Sequence, residues 1–77
     1  MAVCYILIRT QPGMETKVFQ GLKKIQGIDE AHILFGDYDI ISKLELPDFD
    51  EIADNIIDRI RKIDGVLDTR SFPCTQF

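Results

Sequence analysis

A chain of 77 residues, with nine Lys and Arg against thirteen Asp and Glu and 45% apolar residues, makes one domain whose small core invites association. Its net charge of −4 leaves no phosphate-neutralising footprint, which argues against nucleic acid or an anionic membrane surface as a direct partner. The start lacks the basic and extended apolar regions of a signal peptide, and no apolar run approaches the roughly 20 residues of a membrane span, so a cytoplasmic protein is expected.

In chain order, the first strand is read from Ala2 to Thr10. Val3, Tyr5 and Leu7 fall on one of its faces and Cys4, Ile6 and Ile8 on the other, so both are apolar. Helices can cover one face. The other would be an exposed patch of a kind soluble monomers avoid, and a second copy packed sheet to sheet is the expected cover, with a ligand cavity as the competing explanation. Pro12-Gly13 then marks a helix start, and Met14, Val18, Leu22 and Ile25 keep helical spacing.

Two apolar runs, Ala31 to Phe35 and Ile40 to Leu46, are joined by Gly36-Asp37-Tyr38-Asp39, which reads as a β-hairpin with an acidic tip. Two carboxylates at such a tip can receive an ammonium group, or serve only as turn formers. Pro47, with Asp48 and Glu51 spaced as a capping box, opens a second helix on which Phe49, Ile52, Ile56, Ile60 and Ile63 share a face. A last strand runs from Leu67 to about Thr75, and Pro73 consigns it to a sheet edge.

The segments Lys24-Ile25-Gln26-Gly27-Ile28 and Lys62-Ile63-Asp64-Gly65-Val66 echo each other, each reading as a helix end with Gly at the cap before a strand. The order strand, helix, strand, strand, helix, strand predicts an α+β fold, the ferredoxin-like βαββαβ sandwich, with helices on one face of an antiparallel sheet ordered 4-1-3-2. That topology brings Thr10 to Gly13, Gly36 to Asp39, and Asp68 to Ser71 to one end of the sheet. Backbone donors, carboxylates and the hydroxyls of Thr69 and Ser71, two residues apart on one strand face, make a set that suits a zwitterion.

At these positions the sequence resembles the RAM domain, the effector-binding module of the Lrp/AsnC regulator family. The resemblance spans nearly the whole chain: Ile8-Arg9-Thr10, Pro12-Gly13, Gly36-Asp37-Tyr38-Asp39, Lys43, Pro47-Asp48, and Ile63-Asp64-Gly65-Val66 running into Asp68-Thr69-Arg70-Ser71. It implies dimers made through the sheets, assembly into tetramers of dimers, and a small effector, commonly an amino acid, bound between dimers. Gly36, Asp37, Tyr38 and Asp39 would then come from one subunit and Thr69 and Ser71 from another. Full-length members of that family carry an N-terminal helix-turn-helix, whereas here the first strand begins at Ala2. The expectation is therefore a stand-alone domain that acts through partners, including co-assembly with a full-length relative.

A small dimeric α/β enzyme of the monooxygenase or isomerase kind is the alternative. Catalysis needs an activated base or nucleophile, and the single His32 lies within a strand, with no phosphate loop, Ser-His-Asp set or helical metal-ligand pair in the sequence. No catalytic residue, cofactor or metal is expected. Cys4 and Cys74 sit on neighbouring strands near one end, which leaves a disulfide open, although free thiols are the expectation in a reducing compartment.

Overall fold

A computed structural model describes residues 2–48 and 51–74, and of residues 51 and 52 the backbone alone. The elements are β1 (Ala2–Thr10), α1 (Glu15–Lys23), β2 (Ile28–Ile33), β3 (Ile40–Leu46), α2 (Glu51–Arg61) and β4 (Val66–Pro73). The sheet is fully antiparallel in the order β2-β3-β1-β4, with β1 hydrogen-bonded to both β3 and β4. This is the ferredoxin-like sandwich expected from the element order.

Alternation decides which side chains enter the core. Cys4, Ile6 and Ile8 of β1 and Ile40, Ser42 and Leu44 of β3 are each 2% exposed or less, and they pack under Val18 and Leu22 of α1 and Ala53, Ile56 and Ile60 of α2. The apolar spacing of both helices thus does what its period implies, with Met14, Ile25 and Ile63 at the margin of the cluster. Phe49, the side chains of Glu51 and Ile52, and with them the capping box and Thr75, lie outside the described residues. β4 begins one residue earlier than expected, at Val66, and Pro73 does sit in an edge strand.

The glycines near the helix ends act differently from the caps read in the sequence. Gly27 and Gly65 are each the third residue of a four-residue turn, closed by Ile28 N–H to Ile25 O at 3.4 Å and by Val66 N–H to Ile63 O at 3.1 Å. Their φ values of 105° and 102° are the positive values this turn position demands. A Cβ on Gly27 would stand 2.8 Å from Ile56 Cδ1, so the turn is also pressed against α2. Pro12 and Gly13 form a third such turn, with Met14 N–H bonded to Gln11 O at 3.0 Å, and α1 starts only afterwards. Pro12 therefore shapes the approach to α1 rather than its first turn.

Cys4 and Cys74 are both free. The register sets Cys4 opposite Pro73, while Cys74 N–H donates to Val3 O at 2.8 Å, so the two thiols are one position out of step and do not face each other as the sequence alone allowed. Burial pushes the Cys4 thiol above its ordinary value of 9.0.

Candidate functional site

The end of β1 is the hub of the three segments expected to converge. Asp39 Oδ2 accepts from Thr10 N–H at 2.7 Å and from Thr10 Oγ1 at 3.3 Å, while Asp39 N–H donates to Ile8 O at 2.9 Å. Leu34 N–H to Asp39 O, at 2.8 Å, closes the hairpin tip. On the other side of β1, Thr10 is paired with Val66, and Gln11 N–H donates to Gly65 O at 2.8 Å. Thr10 and Gln11 are thus drawn between the hairpin and the start of β4, and their backbone donors are spent on the fold.

Within the tip, Gly36 and Asp37 are exposed and Tyr38 and Asp39 half-buried. Gly36 takes a φ of 132°, a value that favours glycine and lets the tip reverse. The Arg9 guanidinium lies 5.4 Å from the Tyr38 ring centroid, a cation–π contact that fixes the ring over the end of β1. Thr69 and Ser71 stand opposite Ile8 and Ile6, which places both hydroxyl residues on the helix-facing side of β4, two positions apart as read. β1 separates them from the hairpin. A single chain therefore brings Thr10 and Asp39 together but leaves Thr69 and Ser71 apart from Gly36, Asp37, Tyr38 and Asp39.

Thr69 has instead a partner that the sequence pattern marks only as a basic residue in a last helical turn. Arg61 Nε donates to Thr69 Oγ1 at 3.0 Å, joining the end of α2 to β4. Beside this bond is a cleft of about 320 Å³ lined by Arg61, Val66, Leu67, Asp68 and Thr69.

The sheet face turned away from the helices is mixed. Val3, Leu7 and Ile41 are half-buried and Tyr5 and Phe72 are 39% and 46% exposed, which leaves apolar side chains in solvent. Among them Lys43 Nζ lies 3.6 Å from Asp29 and 3.8 Å from both Glu30 and Glu45. Desolvation pulls the Lys43 ammonium down, but Glu45, then Asp29, Tyr5 and Glu30, pull it up more strongly, and the net direction is upward. His32 is exposed on this face with Nε2 3.4 Å from Glu30 Oε1. Among the described residues no cluster of three or more His, Cys, Asp or Glu could hold a metal ion, and no helix is long and apolar enough to cross a membrane.

The sequence matches the family described as Lrp/AsnC ligand binding domain over residues 3–76. An uncharacterized HTH-type transcriptional regulator of Pyrococcus abyssi (strain GE5 / Orsay) is 34% identical over 68 residues, which cover 84% of this chain and 45% of that regulator. The chain thus spans under half the length of the curated relatives it matches. Its fold superposes on the crystal structure of a hypothetical protein from Pyrococcus horikoshii with a TM-score of 0.85 and 27% identity, covering 100% of this chain and 93% of the other. A transcriptional regulator from Neisseria meningitidis, crystallised as an L-Met complex, shares the fold at a TM-score of 0.79 and 16% identity over 97% of this chain and 50% of its own. With a match that runs from β1 through β4 and relatives that are regulators, the chain belongs to the Lrp/AsnC ligand-binding domain family.

Proposed function

We propose that this domain is an amino-acid sensor that assembles with other copies, and with full-length relatives, to modulate transcription without binding DNA itself. The match to a ligand-binding regulatory family across residues 3–76 is the observation that carries it. The L-Met complex of the Neisseria regulator supports an amino acid as the effector class.

Two features of the chain favour a site shared between copies. The hairpin residues Gly36, Asp37, Tyr38 and Asp39 and the hydroxyls of Thr69 and Ser71 lie on opposite sides of β1, which favours a ligand held by the two sets from different chains. The apolar residues left on the outer sheet face, Val3, Tyr5, Leu7 and Ile41, favour a dimer through that face, with dimers joining into larger assemblies. A ligand seated between dimers shifts assembly only as far as it binds the assembled state better. The surplus of thirteen acidic over nine basic residues opposes duplex DNA. A site of turn backbone, carboxylates and hydroxyls favours binding without turnover, in a cytoplasmic setting.

Thermal shift with each of the twenty amino acids, followed by sedimentation and an assay of ligand loss, tests this reading. The expected result is a raised Tm and a changed assembly size with a small subset, and no consumption. Twenty flat melts, or conversion of the ligand, would overturn it.

A further inference from the structure

The hairpin leaves an aromatic side chain with nothing to pack on. Phe35, directly before Gly36, is 102% exposed, and Ile33 two residues earlier is 48% exposed, so the approach to the tip is apolar and uncovered. Leu34 N–H is bonded to Asp39 O at 2.8 Å, which braces the backbone from which Phe35 projects. Asp37, two residues further on, is exposed and has no ion-pair partner among the described residues.

A recess lies across β1, at the same end of the sheet. The cleft between the end of α2 and the start of β4 has a volume of about 320 Å³, roomy enough for a phenyl ring, and Arg61, Val66, Leu67 and Thr69 are among its walls. Leu67 is 55% exposed there although it lies in a strand. Arg61 Nε donates to Thr69 Oγ1 at 3.0 Å, whereas Arg61 Nη1 stands 3.7 Å from Asp58 Oδ1, too far for a hydrogen bond. The guanidinium is therefore oriented, while its face and outer edge stay open to a cation–π contact or a carboxylate.

From this complementarity we infer that Phe35 of one copy enters the α2–β4 cleft of another, its ring against Leu67 and the Arg61 guanidinium and Asp37 of the same tip on that guanidinium's outer edge. Projection and recess are different surfaces of the chain, so the contact is head-to-tail. Each copy offers a tip to one neighbour and a cleft to the next, and the contacts close into a ring or run on as a filament. Thr69 stands on the helix-facing side of β4, so the outer sheet face stays free for the dimer. The inference rests on the reading of a site shared between copies and supplies its contact. Gly36 to Asp39 follow Phe35 directly and Thr69 lines the cleft, so seating the ring brings the two candidate sets together.

Two variants at exposed positions test it by sedimentation velocity at micromolar concentration, with and without amino acids: Phe35→Ser on the projection and Leu67→Glu in the recess. Each alone should form a smaller assembly than wild type, with the contact weakened about tenfold or more, as truncating an aromatic anchor does. Mixed in equal amounts they should regain a larger species, because the first keeps its cleft and the second its ring. Hydroxyl-radical footprinting of the wild-type chain, in which Phe35 and Leu67 should both become protected as concentration rises, stands even if a variant folds poorly. Variants that assemble like wild type, a mixture that stays small, or a Phe35 as reactive in the assembly as in the dilute chain would overturn the contact; a tip-to-tip packing of two Phe35 rings gives the second of these. Amino-acid melts decide the sensor reading separately, since a raised Tm alongside any of these results leaves that reading intact.

Discussion

Alternate residues of β1 and β3 build two sheet faces that are held by different physics. On the helix side, Ile6, Ile8 and Ile40 are completely buried and Leu44 is 1% exposed, so this face is finished within one chain. On the other side, Leu7 and Ile41 are half-buried and Tyr5 is 39% exposed, and Lys43 sits among three carboxylates. Neighbouring residues one step apart in sequence thus answer to different variables. The inner face answers to volume; the outer face answers to charge, salt and the presence of a second copy.

The largest expected effect contrasts Ile8 with Leu7. Ile8→Ala should cost about 2–5 kcal/mol in urea unfolding, because the removed atoms leave a cavity in a closed core. Leu7→Ala should cost less than half as much at low protein concentration, and its cost should grow with concentration if a second copy covers that face. Equal, concentration-independent losses would erase the distinction between the faces.

At the rim of the inner face, Asp39→Asn weakens a charged acceptor that holds Thr10, and a loss of about 1.5–3 kcal/mol is expected with faster hydrogen exchange at Thr10 and Leu34. Unchanged exchange there would mean the hairpin is held by its backbone bonds alone. A smaller effect of opposite sign should come from Ser42, which is 1% exposed and whose Oγ has no partner among the described residues. Ser42→Ala removes that desolvated hydroxyl and should raise stability by about 1 kcal/mol, measured by the urea midpoint. A loss would show that the hydroxyl is satisfied in solution.

The smallest effect is alkaline, and it separates the faces by salt. The folded-state thiol of Cys4 and ammonium of Lys43 both lie above their ordinary values of 9.0 and 10.5, so the native chain holds more protons than the unfolded one as pH rises past each value. Stability should therefore be full below about pH 9 and fall above it, first through Cys4 and then through Lys43. Cys4→Ala should flatten the early part of the decline in pH-dependent melts. Added salt should weaken only the Lys43 part, since its partners lie on the solvent face.

Much of this was legible because period and punctuation are local. The alternation in β1, the 3.6-residue spacing of Val18 and Leu22 and of Ile56 and Ile60, and the single Pro73 all specify faces and edges without reference to distant chain. The glycines show where local reading stops. Gly27 and Gly65 follow helices and look like caps, but both occupy the third place of a later turn, and the packing of Gly27 against Ile56 is a contact between residues far apart in the chain.

The candidate site divides along the same line. Gly36, Asp37, Tyr38 and Asp39 stand together in sequence as they do in space, so their hairpin could be read directly; that Asp39 would spend its carboxylate on Thr10 could not, because β1 reaches the hairpin only through the sheet. Thr69 and Ser71 could be placed on one strand face, whereas the partner of Thr69 depended on where α2 ends and how sharply the chain turns back. Sequence by itself determined the elements, their order and their apolar faces, since these follow from side-chain spacing along a regular backbone. Only the tertiary structure decided which polar groups are committed to the fold and which are left for a ligand, because a hydrogen bond between segments depends on distances that no local pattern contains.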